Sequence, residues 1–246
     1  MTMQTWGITD PGNIRQQNQD AYAIVSFGRE RALLIVCDGM GGAKSGNVAS
    51  TLAVEVFQEE VRRSQKRVMS KEQTEMMLRS ALSLANKAVY EQSHLSEEFS
   101  GMGTTLVAAY IMKDAAYIIN VGDSRAYHVS AGEGINLITH DHSIVEYMVQ
   151  RGELTYEQAK SHPVKNVITR AVGTEEDVEG DLFELPVKKD DCLILCSDGL
   201  SNEMADQEIL FEAAHGVRKS DCCDRLLAIA KNRGAPDNVT VAMAVI

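Results

Sequence analysis

The chain has 246 residues, 44% of them apolar and 24% charged. That is enough to bury a sizeable core without disulfide or zinc staples, and too apolar for global disorder. With 35 acidic against 24 basic residues the net charge is −11, a surface that repels phosphate backbones and argues against nucleic acid and polybasic membrane contact.

Strand-like runs come first, at 4–9 and 21–27, on either side of the turn Asp10-Pro11-Gly12. The first seven residues show neither the basic nor the apolar region of a signal peptide, which predicts a protein without one. An apolar run at 33–37 ends in Asp38-Gly39. Two helices are predicted next. Val48, Leu52, Val56, Phe57 and Val61 share a stripe, and Ser70-x-x-Gln73 is a capping box ahead of a second stripe from Met77 to Val89. Runs 105–111 and 115–121 meet at the turn Lys113-Asp114, which favours a hairpin.

A strand at 125–130 and a short-helical insert at 143–170 follow. Strands at 181–185 and 192–196, helices at 204–215 and 220–233, and a last strand at 239–246 complete the chain. This order is not regular βαβ alternation and predicts a mostly antiparallel α+β fold. No apolar run reaches the roughly 18–20 residues of a membrane span. The five cysteines, Cys37, Cys192, Cys196, Cys222 and Cys223, are odd in number and form no CxxC, which predicts a reduced, cytoplasmic protein.

The placing of certain aspartates is the informative feature. Asp38, Asp123 and Asp198 each follow an apolar run, and Asp237 precedes one. Antiparallel pairing sets the end of one strand beside the start of the next, so these four are expected along one edge. Asp20 opens the run 21–27 and is expected to join them. Converging carboxylates repel one another unless a cation intervenes. Oxygen ligands alone select Mg²⁺ or Mn²⁺, and two such ions can direct in-line attack on phosphorus.

Gly39-Met40-Gly41-Gly42 fits no nucleotide loop. Lys44 stands where a dinucleotide fingerprint needs glycine, and Asn47 where a Walker A loop needs lysine. Its glycines suit a tight exit from the strand that lets the Gly39 carbonyl approach an ion. Arg15, in a turn-rich stretch before Asp20, is suited to grip phosphate oxygens. Two other readings stand beside this one. Gly122-Asp123-Ser124-Arg125-Ala126 nearly matches a hydrolase nucleophile elbow, with Asp198 and His215 following in triad order. The chain could also be a non-enzymatic phosphoprotein-binding module. His140-x-His142 has the spacing of a chelating pair and is read instead as part of a structural turn.

These motifs, in this order, resemble the bacterial metal-dependent type 2C serine/threonine protein phosphatases. They are Asp10-x-Gly12-x-x-Arg15-x-x-Asn18-Gln19-Asp20, Asp38-Gly39-Met40-Gly41-Gly42, Gly101-Met102-Gly103-Thr104-Thr105-Leu106 and Asn120-Val121-Gly122-Asp123-Ser124-Arg125. They continue with Asp141-His142-Ser143, His162-Pro163, Asn166, Arg170, Ser197-Asp198-Gly199-Leu200 and Asp237-Asn238. The resemblance implies a four-layer α-β-β-α sandwich of two antiparallel sheets flanked by helix pairs. It implies one catalytic domain over 1–246 with a flap inserted at 143–170.

By that resemblance Asp38 would bridge two cations, Mn²⁺ or Mg²⁺. The Gly39 carbonyl would bind one, and Asp198 and Asp237 would complete the other. Asp123 with Asp198 would hold a third ion, Asp20 would act through metal-bound water, and Arg15 would hold the substrate phosphate. Phosphoserine and phosphothreonine proteins would be the substrates, attacked directly by a metal-bridging hydroxide. A Ser/Thr kinase of the same organism would be the opposing enzyme, and the phosphatase a cytoplasmic monomer. Three positions depart from the family's usual pattern: Gln19 replaces Glu, Met40 stands where eukaryotic relatives carry His, and Ala43 where many bacterial members carry His.

Overall fold

The computed structural model describes residues 3–216 and 218–246, without the side chains at 42–44. Ala43, as a departure from the family pattern, and the first two residues of the signal-peptide reading therefore lie outside the described residues. In chain order the first elements are β1 (Gln4–Asp10), β2 (Asp20–Ser26), β3 (Ala32–Met40), α1 (Gly42–Ser64) and α2 (Lys71–Ser93). Next come β4 (Gly103–Thr104), β5 (Leu106–Ile111), β6 (Ala115–Val121), β7 (Arg125–Ser130) and β8 (Gly134–Leu137). Then follow α3 (Ile144–Gln150), α4 (Tyr156–Lys160), β9 (Asp181–Pro186), β10 (Cys192–Cys196) and α5 (Asp198–Ser201). The last are α6 (Asp206–His215), α7 (Cys222–Asn232) and β11 (Val239–Val245).

The strands form two sheets in which every pair is antiparallel. One runs β1-β11-β10-β7-β8; the other runs β2-β3-β5-β6-β9, with β4 against the end of β3. Successive side chains of a strand point to opposite faces. In β3, Leu33, Ile35 and Cys37 pack under α1 and α2, while Leu34 and Val36 face the other sheet. In β10, Cys192, Ile194 and Cys196 pack under α6 and α7, while Leu193 and Leu195 meet the first set between the sheets. Three apolar layers thus separate four layers of structure, α-β-β-α, as expected. A strand buried on both faces reads as a continuous apolar run, which is why β3 and β10 stood out in the sequence.

The predicted capping box forms: Gln73 N donates to Ser70 Oγ and Ser70 N to Gln73 Oε1 at 3.0 Å, opening α2. The 143–170 stretch holds only α3 and α4, and its ends are joined by a bridge between Ser143 and Ile168. Two strands were not foreseen, the two-residue β4 and the edge strand β8. All five cysteines are free and buried. Among the described residues, no helix is long and apolar enough to cross a membrane.

Candidate metal centre

Strand pairing gathers the aspartates at one end of the sandwich. Asp20 opens β2 directly opposite Asp38 on β3. Cys196 ends β10 opposite Val241, so Asp198, just past β10, and Asp237, just before β11, emerge at the same end of the other sheet. Val121 ends β6 opposite Leu106, and Thr105 N donates to Asp38 O at 2.9 Å, which brings the Asp123 turn to the end of β3. Asp38 itself lies inside β3, because β4 pairs with Gly39 and Met40 and prolongs the strand past the predicted end.

The electrostatics record how close these groups are. Burial pushes the Asp38 carboxyl well above its ordinary range, and Asp20, Asp198, Asp123 and Asp237 push it further. Burial raises Asp123 to about 8, with Asp198 and Asp141 adding to it. Burial, then Asp237, raises Asp198, which hydrogen-bonds the Asp38 carboxyl and takes an Asn202 Nδ2 bond at 3.0 Å. Asp20 reaches about 7 through burial, held down by the hydroxyls of Thr240 and Ser197.

Those hydroxyls belong to the opposite sheet. Ser197 Oγ and Thr240 Oγ1 donate to Asp20 Oδ2 at 2.7 and 2.6 Å, so this carboxylate spans the two sheets. Its other oxygen, Oδ1, is buried and has no hydrogen-bond partner among the described residues. Asp38 is fixed through its backbone. Its N–H donates to Thr105 Oγ1 at 2.8 Å, its carbonyl accepts from Thr104 Oγ1 at 2.9 Å, and Thr105 Oγ1 in turn meets Ser124 Oγ at 2.7 Å. Gly39 N donates to Gln19 O at 3.1 Å. A Cβ at Gly39 would lie 2.6 Å from that oxygen and nearer still to the Gly46 carbonyl, so only glycine lets α1 start this close to β3.

Arg15 stands at the rim, half exposed, with NH2 2.8 Å from Asp237 Oδ2. Its loop is held by Asn238, which is buried: Nδ2 donates to Pro11 O and Gln17 O, both at 3.0 Å, and Oδ1 accepts from Gln19 N at 2.8 Å. Asp10 turns away to Lys231 at 2.9 Å. Beyond Asp123, Arg125 forks onto Asp141, with Nε and NH2 donating at 3.0 and 2.7 Å.

The other sequence readings come apart here. Ser124 is fully buried against Thr105, and the His215 ring stacks on Phe211 at the end of α6, so Ser124, Asp198 and His215 form no triad. His140 sets its ring edge against Phe183, whereas His142 turns to Gly122 and Asp181, so the pair does not chelate.

Among the described residues no three His, Cys, Asp or Glu side chains are gathered closely enough to hold an ion as they stand. Asp237 is drawn to Arg15 and Asp198 to Asn202. The residues nevertheless suit a hard cation. The donors are oxygens, burial and mutual repulsion raise the Asp38 and Asp123 carboxyls above their ordinary range, and Asp20 Oδ1 is a buried acceptor with no partner among the described residues. Sequence reading singled out the aspartates but passed over Ser197, Thr240, Thr105 and Asn202, which hold them. The one signal for Thr240 was a hydroxyl in an otherwise apolar strand.

Comparison with known proteins gives the family. The family pattern described as protein phosphatase 2C matches residues 14–233. A serine/threonine phosphatase, stp, of Listeria welshimeri is 36% identical over 235 residues, covering 96% of this chain and 92% of the relative. The crystal structure of the S. agalactiae serine/threonine phosphatase superposes with a TM-score of 0.91 at 34% identity, covering 99% of each chain. The catalytic domain of the serine/threonine protein phosphatase PstP, solved with two manganese ions, gives 0.85 at 30% identity, covering 99% of this chain and 97% of that one. Since the family pattern covers residues 14–233, from before Asp20 to the end of α7 and including Asp38, Asp123 and Asp198, the chain belongs to the protein phosphatase 2C family.

Proposed function

We propose that the chain is a divalent-cation-dependent phosphatase that removes phosphate from phosphoserine and phosphothreonine in proteins. The observation that carries this is the set of aspartates that both sheets bring to one end, buried Asp20 and half-buried Asp38, Asp123, Asp198 and Asp237, with an exposed guanidinium at its rim. Asp38, the Gly39 carbonyl, Asp198 and Asp237 would hold two ions, Mn²⁺ or Mg²⁺, and Asp123 with Asp198 a third. When bound, such ions ionise the carboxylates and lower the pKa of water for attack on phosphorus.

The chain's own groups set the geometry. Asp20 keeps Oδ2 on the hydroxyls of Ser197 and Thr240 and offers Oδ1 to a water at the centre. Arg15 exchanges Asp237 for two oxygens of the substrate phosphate, which its planar fork fits. Cys196, behind the centre, is pushed to about 12 by burial, so it supplies no thiolate nucleophile. Met40 has no proton to give the leaving group, which leaves that task to water or to another group at the site. Residues 1–246 then act as one catalytic domain, with 143–170 as a flap governing substrate access. The enzyme works as a cytoplasmic monomer and opposes a Ser/Thr kinase.

The test is hydrolysis of a phosphothreonine peptide beside a phosphotyrosine peptide, with Mn²⁺ and with EDTA. Mn²⁺-dependent cleavage favouring phosphothreonine is expected. Preference for phosphotyrosine overturns the substrate class. Asp38→Ala should lower kcat/KM about a thousandfold, since losing a shared ligand removes several kcal/mol of transition-state stabilisation. Full Mn²⁺-dependent activity in that variant overturns the centre.

A further inference from the structure

His142 has no part in the chemistry proposed above, yet it is buried and every polar atom of it is engaged. Its backbone N–H donates to Gly122 O at 2.9 Å, and its ring Nδ1 accepts from Gly122 N at 3.0 Å. One residue thus grips both polar backbone groups of the glycine immediately before Asp123. That glycine sits at φ 103°, and a Cβ on it would lie 2.6 Å from Thr105 Cγ2. The turn therefore admits only glycine, whose backbone is otherwise free, and His142, with Asn120 Nδ2 3.3 Å from Gly122 O, holds it from the outside.

The rest of His142 faces the other way. Because Nδ1 accepts, the ring proton is on Nε2, which lies 3.2 Å from Asp181 Oδ2 at the start of β9 and 3.1 Å from Arg170 NH1. Asp181 Oδ1 accepts from Arg170 NH1 at 2.8 Å, and His142 O accepts from Thr169 N at 2.7 Å. Ile144 N donates to Val167 O at 3.0 Å, and Ser143 bridges Ile168. Both ends of the 143–170 segment are thus knotted at this histidine. We propose that His142 is a positioning residue that fixes the turn carrying Asp123 and ties it to the root of the 143–170 segment. Its bearing on catalysis rests on the phosphatase reading; its mechanical role does not.

The two ring nitrogens can be separated by substitution. His142→Asn keeps an acceptor where Nδ1 lies but has no atom to reach Asp181. His142→Leu fills the space with neither. Asp181→Ala removes the carboxylate from both Nε2 and Arg170 while leaving Nδ1 and Gly122 untouched. Hydrogen exchange of the metal-free full chain reads the segments 120–124 and 143–170 independently of activity. In His142→Leu both should exchange about tenfold faster or more. In His142→Asn and Asp181→Ala the 120–124 turn should stay within about twofold of the native rate while the 143–170 root speeds up. With Mn²⁺, His142→Asn should raise KM for a phosphothreonine peptide several-fold while leaving kcat on a small aryl phosphate within about twofold.

Native exchange in both segments of His142→Leu overturns the proposal. So does a 120–124 turn that His142→Asn fails to rescue. If His142→Leu does not fold, the Asn and Asp181→Ala exchange patterns decide alone: a root unchanged in both overturns it. A native chain without phosphatase activity would sink the functional reading and leave the mechanical role to be decided by exchange.

Discussion

A buried carboxylate persists only where its surroundings supply donors or charge. Here the donors come from far along the chain: Ser197 and Thr240 are 177 and 220 residues from the Asp20 they hold. This is why the aspartates were legible in the sequence and their partners were not. An aspartate after an apolar run is a local signal, whereas a serine that becomes its donor is recognisable only once two sheets have been stacked. Asn238 shows the energetic side of the same point. It satisfies two carbonyls and one N–H of the loop that carries Arg15. Asn238→Ala leaves those half-buried groups without their partner, a loss of about 1 kcal/mol in urea unfolding. The same variant should raise KM for phosphopeptide, because Arg15 lies between the two points at which the loop is pinned. Unchanged stability together with unchanged KM would show that the loop holds itself.

At the level of elements, legibility followed burial. Strands covered on both faces, such as β6 and β10, were read to the residue, because each is a continuous apolar run stopped by polar or turn residues, Asp114 and Gly122 for β6 and Asp191 and Ser197 for β10. The strand β8 was missed because it is a sheet edge with half-exposed and exposed residues, so neither an apolar run nor alternation marks it. The extension of β3 through Asp38 was missed for another reason: the pairing that prolongs it comes from β4, only two residues long. Helix starts were clearer where a cap is encoded locally. At α2, Ser70 and Gln73 exchange hydrogen bonds before the first turn. Ser70→Ala should therefore destabilise the protein by about 1 kcal/mol, the ordinary worth of an N-cap. Chemical denaturation measures this, and a change under a few tenths would mean that α2 is held by its packing on α1 alone.

The whole molecule places an apolar layer between its sheets and a knot of like charges at one end of that layer. Asp20 and Asp38 come from one sheet, Asp198 and Asp237 from the other, so any repulsion there works to part the sheets. The consequence for stability has a definite sign. The ordinary aspartate value is 3.8, whereas the folded protein holds Asp20 at about 7, Asp123 at about 8, and Asp38 and Asp198 also raised. Between about pH 4 and pH 8 the folded state therefore binds more protons than the unfolded one, and stability without metal must fall as pH rises through that window. Glu208, held at about 2 by Arg233, adds an opposing slope only near its ordinary 4.5 and almost none above about pH 5.5. His142, lowered by burial, works in the opposite direction near its ordinary 6.5, but it is one group against four. A cation that binds only the folded state supplies the missing charge and stabilises by mass action. Melting temperatures in EDTA should accordingly decline from pH 5 to pH 8, at about 2–4 °C per kcal/mol for a chain this size. Mn²⁺ should restore more at pH 8 than at pH 5. In Asp38→Asn, with one charge deleted, the metal-free protein should melt higher than the native one at pH 8 and gain little from Mn²⁺. A metal-free melting temperature that climbs steadily from pH 5 to pH 8 would mean that these carboxylates do not share one charged site.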